Sequence, residues 1–410
     1  MRILHTADWH LADRLGRIDR TDDLRRAVER VGTYCHGEKV DVLLVAGDLF
    51  SEMARPDALR ESIRHWQDVF AGFLADGGTI LTITGNHDNE NFCRTLTHAM
   101  SLAAPLTGVP GAVVPNGRLY LATEPTLLRL RDRHHDYPVQ FLLMPYPTPA
   151  RYLRDEASQK YASVDEKNRS LVTAFRNALR TMQSHEGYDV RLPSVLSAHV
   201  SVHGATLGST LFRLSAEEDV VIDHAEFGSE FAYVALGHIH RAQAVGGLEH
   251  VRYSGSIERM DLGEKDDAKS VVLLDIGPKG LEGVPELLPL PSTPVYEISI
   301  REPADELPKL ATEYPEAGDD LVNIHLTYTA GKDSLEDALR ELERIFPRWY
   351  ARDWKEASAL GPSLAGEGAR GKSFAETVRE YLAEELIQHG DDVRANILER
   401  VEALIREMDA

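Results

Sequence analysis

Three short apolar runs, each ending in polar residues, decide the fold of this chain: MRILHTADWH at residues 1–10, DVLLVAGDLF at 41–50 and TILTITGNHD at 79–88. The stretches between them, over residues 21–35 and 56–75, carry the periodic apolar pattern of helices. Strands that alternate with helices predict an α/β sheet. Because ligands gather at the carboxyl ends of strands in such sheets, we expect the three polar clusters to converge in space.

The alternation of strand and helix patterns continues along the chain. The Pro-interrupted stretch PYPTPARYL at 145–153 leads into a predicted helix over 164–185. Further strand patterns follow: SVLSAHVSV at 194–202, FAYVALGHIH at 231–240 and SVVLLDI at 270–276. We therefore predict a single domain over residues 1–290, which ends at the Pro-rich sequence PLPSTP.

Three different patterns follow residue 290. The first contains the strand patterns VYEISI and LVNIHLTYT and helical patterns over 304–314 and 333–345. These predict a small α+β domain over 291–357. Gly, Ala and Ser dominate residues 358–372, which predicts a flexible linker. Over residues 373–410 the apolar positions follow helical spacing with one break, so we expect a pair of amphipathic helices.

The composition limits what the chain can bind. Its 410 residues contain 45 Lys and Arg against 66 Asp and Glu, a formal net charge of −21. A surface with this excess of negative charge repels polyanions, so contact with nucleic acid or a membrane requires a local basic patch, bound cations or a partner subunit. The chain length favours two or three domains.

The sequence has the features of a cytoplasmic protein. Only two cysteines occur, Cys35 and Cys93, too few for a disulfide framework, and we expect both to be buried thiols. The N-terminal residues lack the pattern of a signal peptide, and no window reaches the roughly 18 uncharged apolar residues that a membrane span needs. We therefore expect a cytoplasmic location.

Seven side chains with metal-binding chemistry lie at the ends of the strand patterns: Asp8, His10, Asp48, Asn86, His199, His238 and His240. Asp8 and His10 are two residues apart and so project to the same side of an extended segment. Gly47, Gly85 and Gly237 let the backbone pass close to a site without an intervening side chain. Seven candidates exceed the needs of one ion, so we expect two.

The chemistry of this set indicates the kind of metal. Two carboxylates, four imidazoles and one amide oxygen, without a thiolate, argue against structural zinc. They favour borderline-hard ions, Mn²⁺ first, with Fe²⁺, Co²⁺ and Zn²⁺ as alternatives. Two such ions would outweigh the charges of Asp8 and Asp48 and leave a site that attracts phosphate within an acidic protein.

The order of these motifs along the chain, D-x-H, G-D, G-N-H-D, H and G-H-x-H, resembles the calcineurin-like metallophosphoesterase superfamily. Residues 2–15 and 232–256 resemble, more narrowly, its double-strand-break repair nucleases. The resemblance implies an α/β fold, a metallophosphoesterase β-sandwich flanked by helices, with the small α+β domain and the C-terminal helical pair added to it. It implies that one ion is held by Asp8, His10, Asp48 and His240, and the other by Asp48, Asn86, His199 and His238. Asp48 would bridge the two ions.

Two neighbouring residues complete the implied site. By resemblance, His87 stabilises developing charge or protonates the leaving oxygen, and Asp88 orients it. The chain departs from the family at Ser51, where a histidine often follows the G-D-x-F segment. Any phosphate-positioning role of that second histidine is therefore missing here or moved.

The resemblance implies a two-metal phosphodiesterase that acts on DNA. Its expected reactions are exonuclease action at double-strand ends and endonuclease action on single strands or hairpins, coupled to an SMC-like ATPase in DNA repair and recombination. A homodimer through the catalytic domain is also implied. One alternative is a small-substrate phosphatase or cyclic-nucleotide phosphodiesterase, against which the roughly 120 residues after the catalytic domain argue. A catalytically inactive binding scaffold is another, against which the complete ligand set argues.

The regions after residue 290 give weaker signals about partners. Residues 300–345 contain 12 acidic and 5 basic residues, which suits a DNA-binding surface poorly. The segment PRWYARDWK at 347–355 interleaves basic with aromatic residues, which either contact phosphates and bases or close a small core. The helical pair at 373–410 needs another surface to cover its apolar stripes. The resemblance implies that this surface is the ATPase, and packing on the α+β domain or a homodimer contact is the alternative.

Overall fold

The computed structural model describes residues 1–357 except 53, 105–108, 154–160, 207–218 and 316, together with Arg400. Internal contacts divide the chain into two compact units, one of residues 1–326 and 335–354, the other of residues 327–334 and 355–410. The predicted linker over 358–372 and the predicted helical pair over 373–410, Arg400 excepted, lie outside the described residues. All the predicted site residues belong to the larger unit.

The described residues form the following elements. The strands are β1 (Arg2–Thr6), β2 (Arg14–Leu15), β3 (Ile18–Asp19), β4 (Val42–Val45), β5 (Thr79–Ile83), β6 (Leu119–Ala122), β7 (Thr126–Arg131), β8 (Pro138–Met144), β9 (Ser194–His199), β10 (Ser201–Val202), β11 (Val221–Ile222), β12 (Tyr233–Gly237), β13 (Gln243–Val245), β14 (Leu248–Tyr253), β15 (Ser270–Gly277), β16 (Gly280–Pro289), β17 (Val295–Ile300), β18 (Leu321–Tyr328) and β19 (Trp349–Glu356). The helices are α1 (Thr21–Gly37), α2 (Pro56–Ala75), α3 (Glu90–Ala103), α4 (Pro149–Tyr152), α5 (Val164–Ser184), α6 (Pro303–Glu313) and α7 (Leu335–Ile345). None of these described helices combines the length and the apolar character that a membrane span requires.

Two six-stranded mixed sheets form the body of the larger unit. The first has the order β16-β15-β1-β4-β5-β6, in which β1, β4, β5 and β6 are parallel and the other two are antiparallel. The second has the order β13-β14-β12-β9-β8-β7, in which β14, β12, β9 and β8 are parallel. Helices connect β1 to β4, β4 to β5 and β8 to β9, as the alternating pattern predicts. The predicted α/β sandwich is therefore confirmed.

Three layers of apolar side chains hold the sheets and helices together. Between the two sheets, Ile3 and Leu44 of the first pack in one cluster with Phe141 of the second. Helices α1 and α2 cover the outer face of the first sheet, and Phe175 of α5 packs against the outer face of the second. Each fully buried side chain of this size contributes about 1.5–3 kcal/mol. These layers fix the strand ends on which the candidate site is built.

The two cysteines belong to this interior. Cys35 of α1 and Cys93 of α3 are buried, unlinked thiols, as the sequence predicts. Burial raises the pKa of both thiols, so they remain protonated.

The last strands form a small sheet of the predicted α+β kind. β17 and β18 are parallel, β19 adjoins β18, and α6 and α7 share one apolar cluster with the sheet. The segment PRWYARDWK contributes β19, in which Trp349 packs against that cluster. The guanidinium groups of Arg17 and Arg352 each lie 4.0 Å from the centroid of its ring. Trp349 therefore closes a core, whereas Trp354 stays 48% exposed.

A buried cluster of ion pairs joins this small sheet to the sandwich. Asp23 of α1 is 2% exposed and accepts hydrogen bonds from Arg20, Arg26 and Arg348. Arg348 immediately precedes β19. Because removing one partner of a buried charge is strongly destabilising, the Asp23 cluster holds β19 beside α1.

His5 links the two sheets through the interior. It lies on β1, is 0% exposed, and its ring nitrogens are 3.0 Å from the Tyr233 hydroxyl and 3.2 Å from the Leu236 carbonyl oxygen, both on β12. Burial lowers the pKa of this imidazole from 6.5 to about 3. His5 is therefore neutral in the folded protein at a pH where an unfolded chain would protonate it.

This difference predicts how stability depends on pH. Below about pH 6.5 the unfolded state binds a proton at His5 that the folded state does not, until the pH reaches about 3. His5 alone should lower the free energy of unfolding by roughly 2–3 kcal/mol between about pH 7 and pH 4.5. Urea unfolding of the metal-free protein and of His5→Gln across this range should show a shallower decline in the variant.

The exposed His98 of α3 provides the control for this measurement. His98→Gln should reproduce the decline of the parent protein. Equal declines in the parent protein and in His5→Gln would show that the buried imidazole titrates normally.

Candidate metal centre

The seven candidate ligands converge at the carboxyl ends of five parallel strands. Asp8 follows β1, Asp48 follows β4 and Asn86 follows β5 in the first sheet. In the second sheet, His199 ends β9, and His238 and His240 follow β12. The expected convergence of clusters that are distant in sequence therefore occurs, and both sheets contribute to it.

Several of these residues adopt a backbone conformation that is rare outside glycine. The φ angles are 54° at Asp8, 43° at His10, 52° at Asp48 and 97° at His238. Such conformations cost about 1–3 kcal/mol each and persist where the surrounding structure enforces them, most often at functional sites. Four strained residues in one cluster indicate that their side-chain directions matter more than local stability.

One group of side chains surrounds His10 and His240. Their Nε2 atoms lie 3.2 Å apart, and His10 Nε2 is 3.7 Å from Asp48 Oδ2. Possible ligand atoms of Asp8, His10 and His240 all lie within 4.8 Å of one another. The first predicted ligand set is therefore brought together.

The second group surrounds His199 and Asn86. His199 Nε2 is 3.3 Å from Asp48 Oδ2, and Asn86 Oδ1 is 3.0 Å from His199 Nε2 and 2.9 Å from His238 Nδ1. Asp48 thus lies between the two groups, as expected of a bridge. Asp8 belongs to both as well, since possible ligand atoms of Asp8, Asp48 and His199 lie within 4.8 Å of one another.

The hydrogen bonds of the histidines test whether these residues fit metal ions. His199 Nδ1 donates to the Ala46 carbonyl oxygen at 2.7 Å, and His240 Nδ1 donates to Glu264 Oε1 at 2.7 Å. The Nε2 atoms of both neutral rings then offer only lone pairs. In the site these lone pairs face carboxylate and amide oxygens and another imidazole. Acceptors that face each other at about 3 Å fit a bound cation and are unfavourable without one.

The electrostatics of the pocket point the same way. Burial by itself lowers the pKa of His199, but Asp48 and then Asp8 outweigh it and raise that pKa to about 9. His240 has its pKa raised to about 9 against burial, chiefly by Glu264. Buried carboxylates that draw protons onto neighbouring imidazoles leave an excess of negative charge, which divalent cations would neutralise.

Two glycines make room for this arrangement, as the sequence predicts. Gly47 has a φ of +94°, and a Cβ atom added to it would lie 2.3 Å from His199 Nδ1. A Cβ atom added to Gly85 would lie 2.0 Å from Asp48 Oδ1. Side chains at either position would displace a candidate ligand.

The structure gives Asp88 other partners than the sequence predicts. Its carboxylate accepts hydrogen bonds from the backbone N–H groups of Gly85 at 2.8 Å, Phe50 at 2.9 Å and Leu49 at 3.3 Å. Among the described residues it makes no hydrogen bond to His87. Burial and then Asp48 raise the pKa of Asp88 to about 6 despite these donors. Asp88 therefore ties together the loops that carry Asp48 and Asn86, and it does not orient His87.

His87 is held by its backbone and has a partly open side chain. Its N–H donates to Asp48 Oδ1 at 2.9 Å, and its ring lies 5.0 Å from that of His10. The side chain is 26% exposed, with Nδ1 3.8 Å from Glu52 Oε2. This position at the mouth of the site, beside the candidate ligands, suits a residue that contacts a substrate.

Ser51 does not replace the histidine that the family often has at this point. Its hydroxyl donates to Asp13 Oδ1 at 2.8 Å, and the residue is 8% exposed. Ser51 therefore fastens its loop to the loop after β1 and offers nothing to a bound phosphate.

Three residues of the site were not found from the sequence. Asp219 Oδ2 lies 2.9 Å from His238 Nε2, and Glu264 contacts His240 as described. Tyr146 hydrogen-bonds to Asp219 and packs its ring 5.7 Å from that of His238. No spacing rule marks them, because each belongs to a loop far in sequence from the ligand that it supports. The only hint in the sequence was the Pro-interrupted stretch around Tyr146, which we interpreted as a connection.

The comparison with known protein families agrees with this geometry. Residues 1–242 match the model of the family described as calcineurin-like phosphoesterase. The chain belongs to the calcineurin-like phosphoesterases. It is thus a metal-dependent phosphoester hydrolase, and the resemblance inferred from the five motifs is confirmed.

Among curated proteins the similarity is to one component of a nuclease complex, the SbcD subunit of the nuclease SbcCD. The chain is 30% identical to SbcD of Bacillus subtilis strain 168 over 283 residues, 68% of this chain and 67% of that protein. It is 30% identical to SbcD of Rhodobacter capsulatus over 308 residues, 71% and 69% of the two chains. For SbcD of Escherichia coli K12 the values are 26% over 293 residues, 70% and 68%. These similarities extend beyond the residues that the family model covers.

The close approach of Gly85 to Asp48 predicts the effect of a single methyl group. Gly85→Ala should push the Asp48 carboxylate from its position between the two groups of ligands, because the added Cβ atom would overlap Oδ1. We expect at least one of two Mn²⁺ ions to be lost, measured by isothermal titration calorimetry of the metal-free protein.

Gly37 at the end of α1 is the matched control, since a Cβ atom added there meets nothing within 4 Å. Gly37→Ala should bind Mn²⁺ as the parent protein does. Undiminished binding by Gly85→Ala would show that Asp48 is not a shared ligand.

Proposed function

We propose that the chain is a two-metal DNA nuclease that hydrolyses phosphodiester bonds, with exonuclease action on double-strand ends and endonuclease action on single strands and hairpins. The observation that carries the proposal is the position of the Asp48 carboxylate between two groups of imidazole and amide ligands. The similarity to SbcD of several bacteria supports a nucleic-acid substrate over the small-substrate alternative.

The proposed ligands fit two borderline-hard cations. Asp8, His10, Asp48 and His240 would hold one ion, and Asp48, Asn86, His199 and His238 the other. Mn²⁺ suits this oxygen and nitrogen set, which contains no thiolate. Two such ions would supply Lewis-acid activation of the phosphate and of the attacking water.

The chain's own residues then orient and protonate the substrate. The His87 imidazole lies at the partly exposed mouth of the site, where it can donate a proton to the leaving oxygen or stabilise charge on the phosphate. Its backbone N–H is bonded to Asp48, so its position relative to the ligands is fixed. Asp88 keeps the two ligand-bearing loops in register through backbone hydrogen bonds.

The partners proposed for this nuclease are DNA, an SbcC-like ATPase and a second copy of the chain. An acidic nuclease needs such help to hold DNA, because a net charge of −21 disfavours binding to a polyanion. We propose that residues 1–290 form the nuclease domain, 291–357 an accessory domain, 358–372 a linker and 373–410 the ATPase-docking segment. The homodimer would form through the nuclease domain, in the cytoplasm.

The test is cleavage of end-labelled duplex, hairpin and single-stranded DNA by the purified protein, with Mn²⁺ or Mg²⁺ and with a mononucleotide as competitor. A nuclease should cut the DNA in the presence of the competitor. An enzyme that hydrolyses the mononucleotide and leaves all three DNA substrates intact would contradict the proposal.

His87→Ala separates catalysis from metal binding in the same assay. The variant should cleave about 10²–10⁴ times more slowly, since it lacks the group that acts on the phosphate. It should still bind two Mn²⁺ ions, because its backbone N–H can still donate to Asp48. Retained activity, or the loss of an ion, would show that the role assigned to His87 is wrong.

A further inference from the structure

The carboxylate of Asp219 lies behind His238, on the side of the ring away from Asn86. Asp219 Oδ2 is 2.9 Å from His238 Nε2, and His238 Nδ1 is 2.9 Å from Asn86 Oδ1. Asp219 and His238 are each 6% exposed. Because an ionised carboxylate only accepts hydrogen bonds, Nε2 carries the ring proton and Nδ1 presents its lone pair to the candidate metal site.

Three further donors hold the Asp219 carboxylate in place. Oδ1 accepts from the backbone N–H of Val220 at 2.8 Å and from the Tyr146 hydroxyl at 3.1 Å. Oδ2 accepts from the Ser201 hydroxyl at 2.5 Å as well as from His238. The carboxylate cannot turn away from His238 without breaking these bonds.

The carboxylate behind the other metal group is arranged differently. Glu264 accepts from His240 Nδ1 through Oε1, and its Oε2 lies 2.5 Å from Nζ of the buried Lys269. Lys269 therefore offsets the charge of Glu264. Within the described part of the chain, Asp219 has only hydroxyl and backbone donors besides His238, so its negative charge acts on that imidazole alone.

We propose that Asp219 is the positioning residue of the second metal site: it fixes the tautomer of His238 that binds the ion and makes Nδ1 a stronger ligand. The inference rests on the proposed function only in taking His238 as a ligand. Carboxylates that hydrogen-bond to a ligating histidine typically change metal affinity by about 10- to 100-fold. Asp219 should therefore affect the ion held by Asn86, His199 and His238 and leave the other largely unchanged.

The hydrogen bonds of Asp219 predict an unusual order among its variants. In Asp219→Asn the amide oxygen must stay beside Val220, because a backbone N–H can only donate. The amide NH₂ then faces His238 Nε2 and makes it the acceptor, which places the ring proton on Nδ1 and blocks the metal-binding nitrogen. Asp219→Ala removes the charge but leaves the ring free to adopt either tautomer. The conservative variant should therefore be the more damaging one.

The experiment is a Mn²⁺ titration of the full-length chain and of both variants by isothermal titration calorimetry, with circular dichroism to verify folding. We expect two ions in the parent protein, a second ion weakened by about 10- to 100-fold or lost in Asp219→Asn, and a smaller loss in Asp219→Ala. The control Asp223→Asn, at an exposed carboxylate of the same segment, should bind as the parent does. Unchanged binding by Asp219→Asn, or a loss in Asp219→Ala that equals or exceeds it, would overturn the proposal.

A second measurement needs no variant of Asp219. Nitrogen-15 NMR of the metal-free protein, with the His238 signals assigned by comparison with His238→Gln, should show the proton on Nε2. A proton on Nδ1 would overturn the proposal. Neither readout involves DNA, so a parent protein that binds two ions with this tautomer and fails to cut DNA would count against the proposed nuclease function alone. A parent protein that binds fewer than two ions would contradict the two-metal site itself.

Discussion

The carboxylate of Asp48 is buried at the carboxyl end of β4, 1% exposed, within 4 Å of ring nitrogens of His10 and His199. It also accepts the backbone N–H of His87, so the residue proposed to act on the phosphate is attached to the residue proposed to bridge the metals. A carboxylate so deeply buried is costly unless positive charge is close to it. The two groups of ligands on either side of Asp48 are arranged to bring that charge as metal ions.

The architecture around Asp48 follows from this requirement. Parallel strands deliver side chains to one edge, strained backbone at Asp8, His10, Asp48 and His238 turns them inward, and glycine at position 85 leaves space for the carboxylate. Asp88 fastens the neighbouring loops, and Asp219 and Glu264 support the imidazoles from behind. The site is thus held by bonds that come from both sheets, and its strain is balanced by the packing between them.

The sequence was sufficient for the parts of this site that depend on local order. Apolar runs that end in Asp8, Asp48 and Asn86 predicted both the strands and their shared edge, because strand direction and side-chain chemistry are written in adjacent residues. Asp219 and Glu264 could not be found this way, since their role depends on loops that meet only in the folded chain. The role of Asp88 was misjudged for a related reason: adjacency to His87 in sequence does not determine which donors surround a buried carboxylate. Similarly, the aromatic segment before β19 fitted two interpretations until the packing of Trp349 was known.

The central claim is that two metal ions share the Asp48 carboxylate. The most direct measurement is anomalous X-ray diffraction from crystals of the protein grown with Mn²⁺, recorded at the manganese edge. The account predicts two anomalous peaks on either side of Asp48, one among Asp8, His10 and His240, the other among Asn86, His199 and His238. A single peak, or peaks that do not contact Asp48, would contradict it.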